Sequence, residues 1–89
     1  MQKLEKTLLL EVYENLLKNH SYEHTIKLNS LDATTLVNYR DAFRNLESQG
    51  FLLLHFDNES LRRDALSCLR YPCEITPKGI KVAVTEKQA

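Results

Sequence analysis

The residues of this chain whose types and spacing best suit recognition chemistry fall between positions 34 and 44. At helical spacing their side chains share one outward face, with Arg40 at its margin: Thr34, Val37, Asn38, Arg40 and Arg44. In the DNA major groove, an asparagine pairs with adenine and a small apolar group contacts the thymine methyl. Arginines bind phosphates or guanine. The pattern therefore indicates a DNA-contacting helix face. Asp41 on the same face argues against this interpretation, and an ordinary solvated surface is the alternative.

A second group of basic residues follows later in the chain. Arg62, Arg63 and Arg70 form the densest basic cluster, offset only by Asp64. Such a cluster suits the phosphate backbone or the minor groove. The same residues also fit ordinary surface arginines, and the sequence leaves both interpretations open.

Residues for metal binding or catalysis are sparse. His20 and His24 are four positions apart, whereas Cys68 and Cys73 are five apart, and neither spacing matches a paired zinc motif such as C-x2-C. The chain contains no Gly-rich phosphate loop and no nucleophile or metalloprotease motif. We therefore predict no metal site, no cofactor and no enzymatic activity.

Length and charge restrict the function further. Eighty-nine residues, 43% of them hydrophobic, predict a single globular domain over 1–89. Twelve basic residues balance twelve acidic ones, but residues 60–89 carry six basic and three acidic side chains. A polyanion should therefore meet the C-terminal third first. Apolar runs are too short for a membrane span or an export signal, which predicts a cytoplasmic protein that does not enter membranes.

Two helices must position the candidate face and its support. Leucines and valine recur every fourth residue from Leu4 to Leu16, which predicts an amphipathic helix over 3–19. Asp32 is a suitable N-cap for a second helix over 33–48, which Gly50 stops.

The other segments are shorter. Residues 21–31 fit either a strand or a short helix capped by Ser21, and we expect the helix. Phe51–Phe56 and Arg70–Ile75 predict two strands, the second restricted to a sheet edge by Pro72. Residues 59–69 fit a helix or an irregular loop equally. Thr76 and Pro77 open a last helix over 77–85.

This order of elements, α-α-α-β-β-α, and two sequence motifs resemble the winged helix-turn-helix domain of small MarR- and PadR-like bacterial or phage regulators. The first motif begins with Leu31-Asp32-Ala33-Thr34-Thr35-Leu36 and ends with Leu46-Glu47-Ser48-Gln49-Gly50-Phe51-Leu52. The second is Ile75-Thr76-Pro77-Lys78-Gly79. The resemblance implies a mainly α fold with a small β wing. It also implies that 21–31 is the first helix of the helix-turn-helix, 33–48 the recognition helix and 57–69 the wing that carries Arg62 and Arg63.

The function that the resemblance implies is a transcriptional regulator that binds double-stranded DNA as a homodimer. We expect the dimer contact on helix 3–19, the terminal helix or both, rimmed by Lys6, Glu14 and Lys18. The alternative is a winged-helix module, such as a phage or mobile-element accessory protein, that binds another protein and no DNA.

Overall fold

The computed structural model describes residues 1–28, 32–55 and 69–88. Three helices and a three-stranded antiparallel sheet follow in the order α-β-α-β-β-α, so the protein is mostly helical with a small sheet. The elements are α1 (Lys3–Asn19), β1 (Glu23–Leu28), α2 (Ala33–Ser48), β2 (Leu52–Leu54), β3 (Leu69–Ile75) and α3 (Pro77–Gln88).

Helices α1 and α2 have the predicted bounds, and α3 begins where the sequence predicts. The Asp32 carboxylate accepts a hydrogen bond from the Thr35 amide at 3.0 Å and caps α2. Gly50, with φ of 79°, follows the C-cap of α2 in the left-handed conformation that glycine adopts without strain. The Thr76 hydroxyl accepts from the Gly79 amide at 3.0 Å and caps α3, which continues three residues beyond the predicted end.

Residues 21–31 correct the predicted order. Glu23–Leu28 is strand β1, paired with β3, and not the first helix of a helix-turn-helix. Ile26 and Leu28 enter the core at period 2, and this burial outweighs the local helical spacing. The Ser21 hydroxyl accepts from the Glu23 amide in a tight turn rather than capping a helix. Within the described residues, a strand and not a helix therefore precedes α2.

Pro72 was expected at an edge, and this prediction is wrong because β3 is the central strand, in the order β1-β3-β2. Hydrogen bonds alternate along β3: the Ile75 amide donates to Tyr22 on the β1 side, whereas the Pro72 carbonyl accepts from His55 on the β2 side. The Pro72 nitrogen therefore faces β2 at the point where that strand ends, after Leu54. Proline is tolerated here because β1 requires no donor from it.

The core lies between the inner face of the sheet and the three helices. The Phe43 ring of α2 packs against Tyr71 of β3, with centroids 5.4 Å apart. Leu8, Val12, Phe43 and Leu46 are buried, and Leu16, Leu36 and Ile80 pack against them from partly buried positions. These seven residues therefore contribute to one core.

Helix α3 crosses α1 and is held there by charges. Lys6 pairs with Glu86 at 3.3 Å, and Glu14 pairs with Lys87, whose ammonium lies 5.8 Å from the centre of the Tyr13 ring. Two of the three residues expected at the rim of a dimer are thus engaged within one chain. No helix among the described residues is long and apolar enough to cross a membrane.

Candidate nucleic-acid interface

The face of α2 that points away from the core carries most of the predicted contact residues. Thr34, Asn38 and Arg44 are exposed, and Val37 is 41% exposed. They share this face because Phe43 and Leu46 occupy the opposite side of the helix. Thr34, Val37 and Asn38 line a shallow, mainly apolar hollow of about 270 Å³ in the first turns of α2. The arrangement combines an amide and an apolar contact at the N-terminal end of the helix, with a guanidinium two turns further on.

Arg40 is less available than the other predicted residues. Its side chain is 26% exposed, and its Nε lies 3.7 Å from the Asp41 carboxylate. That Nε is buried and has no hydrogen-bond partner among the described residues. Only the outer part of the guanidinium can therefore reach a phosphate.

The flank of α2 that faces α1 carries more acidic than basic groups. A cleft of about 430 Å³ separates the two helices, and its charged lining residues are Glu5, Asp41 and Lys3, among polar and apolar side chains. Glu5 is only 4% exposed, and its carboxylate accepts a hydrogen bond from the Asn45 amide at 3.1 Å. Negative charge on this side disfavours phosphate. A nucleic acid that contacts α2 is therefore expected to approach from the other flank.

The outer face of the sheet adds positive charge near the start of α2. Lys27 of β1 and Arg70 of β3 are exposed and directly opposite each other in the register. The pair is of the non-hydrogen-bonded type, in which opposite Cβ atoms lie closest, and two like charges there repel each other. Lys27 precedes the N-cap Asp32 by five residues, so the chain keeps it within about 18 Å of α2. Because α2 packs on the inner face of the sheet, its exposed face and this basic pair lie on different sides of the molecule, and the pair can meet only phosphates outside the groove that α2 would occupy.

Among the predicted residues, Arg62 and Arg63, and the proposed wing 57–69 except for Leu69, lie outside the described residues. The sequence reasoning missed Lys27, because it assigned 21–31 to a helix. Had that segment been interpreted as a strand, with alternate residues facing the core, Lys27 would have been placed on the outer face of the sheet, where Arg70 is its partner.

Of the histidines and cysteines considered as metal ligands, Cys68 lies outside the described residues, and His20, His24 and Cys73 form no ligand cluster within them. The His24 ring pairs with Glu11, with 2.9 Å between Nε2 and Oε2. Cys73 is 1% exposed, and its thiol donates to the His24 carbonyl at 3.4 Å. Burial, with a smaller contribution from the Glu11 charge, raises the pKa of Cys73 to about 12. This thiol is therefore an apolar core group at neutral pH and not a ligand or nucleophile.

Comparison of the chain with models of known families, with curated proteins and with solved structures found no match. The function must therefore be argued from the surface just described.

Proposed function

We propose that this chain is a winged-helix transcriptional regulator that binds double-stranded DNA through α2. The observation that carries the proposal is the exposed N-terminal half of α2, where Thr34, Val37 and Asn38 stand together. Three helices with a small antiparallel sheet are compatible with a winged helix. Because β1 precedes α2, the unit that reads DNA is a single helix supported by a sheet rather than a pair of helices.

Each side chain on α2 has a distinct role in this proposal. Asn38 forms two hydrogen bonds with an adenine edge, and Val37 contacts a thymine methyl group. Thr34 reaches a base or a phosphate from the first turn. Arg44, about 10 Å beyond Val37 along the helix axis, contacts the DNA backbone or guanine.

The basic pair on the sheet supplies phosphate contacts that do not depend on sequence. Lys27 and Arg70 face solvent on the sheet side, away from the cleft between α1 and α2. Arg62 and Arg63 of the proposed wing add to this charge. With few phosphates contacted, the slope of log K against log salt should be modest, about −3 to −5.

The decisive experiment is selection of duplexes from a random library, followed by binding titrations at two salt concentrations. Asn38→Ala should lose about 1–3 kcal/mol on the selected sequence and little on random DNA. Lys27→Ala combined with Arg70→Ala should weaken all sequences alike and flatten the salt slope by up to about 2 units. Arg62→Ala combined with Arg63→Ala should have the same effect.

Lys78→Ala is the matched control, because Lys78 is an exposed lysine in the first turn of α3 and lies beside Phe51, beyond the C-terminal end of α2. It should change neither affinity nor slope appreciably. Absence of DNA binding by the parent protein in low salt would refute the proposal. Equal losses in Lys78→Ala and in the Lys27 and Arg70 variant would refute the assigned surface.

One feature favours a second candidate function, a module that binds another protein. Val37 lies in a mainly apolar hollow that Ala33, Thr34 and Asn38 complete, and such a surface also suits an apolar peptide. If DNA binding fails, Val37→Asp should abolish capture of such a partner. An unchanged set of captured proteins would exclude this surface as well.

A further inference from the structure

Three side chains of metal-ligating type converge on the outer face of the sheet. Glu23 begins β1, Glu74 lies in β3, and His55 follows β2 directly. One ligand atom from each residue lies within 4.8 Å of the others, and His55 Nε2 is 3.4 Å from Glu74 Oε1. These residues are 32 and 19 positions apart along the chain, and the sheet alone brings them together.

The strand register fixes this convergence. Glu23 and Glu74 are directly opposite in a pair without mutual backbone hydrogen bonds, the type in which side chains approach most closely. His55 stands opposite Pro72, one position along the same face from Glu74. Proline offers no polar group, so the imidazole can turn toward the two carboxylates.

Among the described residues, the ion-pair partner of the two carboxylates is the His55 ring, which faces Glu74. Two carboxylates directly opposite on neighbouring strands repel each other. Among the described residues, no lysine or arginine forms an ion pair with Glu23 or Glu74, and Lys27 and Arg70 lie four residues away at the other end of the face. A bound cation would remove this repulsion.

We propose that Glu23, His55 and Glu74 bind a divalent transition-metal ion, with Zn²⁺ as the best match. An imidazole nitrogen and two carboxylate oxygens form a ligand set that Zn²⁺ accepts, and water can complete its coordination. A point equidistant from three atoms within 4.8 Å of one another lies at most about 2.8 Å from each. Zinc bonds of about 2.0–2.2 Å therefore require movements below about 1 Å. Glu23 and His55 are exposed and Glu74 is half-buried, so rotation of the side chains suffices.

The ligand types also predict selectivity. Mg²⁺ and Ca²⁺ prefer sets made of oxygen alone, whereas the imidazole favours Zn²⁺ and its neighbours in the transition series. Because the ligands come from two strands and from the residue after the third, a bound ion would connect the whole sheet. Binding should therefore raise the melting temperature.

The experiment is calorimetric titration of the full chain with ZnCl₂, accompanied by thermal melts with and without the ion. We expect one ion per chain and an increase in melting temperature that neither MgCl₂ nor CaCl₂ reproduces at equal concentration. His55→Ala, Glu23→Gln and Glu74→Gln should each weaken zinc binding at least about tenfold. Loss of a group that merely orients a ligand already costs 10–100-fold.

His24→Ala is the matched control, because His24 pairs with Glu11 as His55 pairs with Glu74 but lacks the second carboxylate. It should leave zinc affinity unchanged. The titration is repeated in Cys68→Ser, since thiolates bind zinc strongly, and the result should persist there. Equal affinity in the parent and the three site variants, loss of binding in His24→Ala or Cys68→Ser, or no binding by the parent would each overturn the proposal.

Discussion

At the scale of single residues, two buried titratable groups resist ionisation. The thiol of Cys73 and the phenol of Tyr71 point into the core from β3, and burial raises the pKa of each. The folded protein therefore holds these protons to a higher pH than the unfolded chain does. Their contribution to stability is complete below the ordinary pKa and declines as the pH rises toward the folded value.

This linkage predicts that the protein loses stability in alkaline solution. Between pH 9 and 10, the unfolded chain releases the Cys73 proton and the folded chain keeps it, which costs about 1 kcal/mol. Urea unfolding at pH 7, 9 and 10 measures the loss. Cys73→Ala is less stable at every pH but should show a smaller decline, and an equal decline in both proteins would contradict the assignment.

Glu23 provides a second test at this scale. In buffer containing EDTA, Glu23→Gln removes the repulsion with Glu74 across the strands and should stabilise the fold by about 0.2–1 kcal/mol. Glu11→Gln serves as the control, because it removes a carboxylate that pairs with His24 and should give no gain. Denaturant midpoints measure both effects, and destabilisation by Glu23→Gln would show that its charge is satisfied.

At the scale of elements, the helices were predictable and the sheet was only partly so. Caps and 3.6-residue periodicity act locally, so the bounds of α1 and α2 follow from residues such as Asp32 and Gly50. Strand β1 depends on partners in β3 that are 41 to 51 residues away, which local patterns cannot indicate. The exposed face of α2 was therefore predictable, whereas Lys27 and the Glu23–His55–Glu74 cluster required the register.

Gly79 determines how closely α3 approaches the chain before β2. A Cβ at this position would lie 2.1 Å from the Phe51 carbonyl oxygen, and Thr76 fixes the first turn by donating to the Gly50 carbonyl at 2.6 Å. Helix propensity alone favours alanine by about 1 kcal/mol. The backbone clash should outweigh this gain, so Gly79→Ala should destabilise the protein by about 1–3 kcal/mol.

Thermal and urea unfolding of Gly79→Ala test this prediction against Lys81→Ala, an exposed position of the same helix. The control should remain within about 0.5 kcal/mol of the parent. Stabilisation by Gly79→Ala would mean that α3 can move away from Phe51 without loss of packing.

At the scale of the whole molecule, dimensions bear on DNA binding. The chain measures 36 × 25 × 19 Å. Half-sites one helical turn apart are about 34–36 Å apart. Two chains related by a two-fold axis would therefore have to hold their α2 helices about one chain length apart to enter successive major grooves, as the proposed function requires.

Association of this kind can be measured directly. Leu17 of α1 is 49% exposed and lies one turn beyond Glu14, which pairs with α3. We therefore expect Leu17 to be the apolar residue of α1 that forms the dimer contact. We expect sedimentation equilibrium to give twice 10.4 kDa at micromolar concentration, and Leu17→Glu to give the single mass. A parent mass of 10.4 kDa would refute the dimer, and Lys27→Ala serves as a control that should not alter it.

The side chain of Asn15 covers part of an open sheet edge. It donates hydrogen bonds to the carbonyls of Ser21 and Glu23, at 3.1 Å and 2.9 Å, and so occupies the start of the outer edge of β1. The backbone groups of Thr25 and Lys27 point away from β3 along the same edge. An open edge is a template for the strand of another chain, which a lysine discourages. Asn15 and Lys27 thus guard opposite ends of one of the two edge strands of the sheet against pairing with another chain.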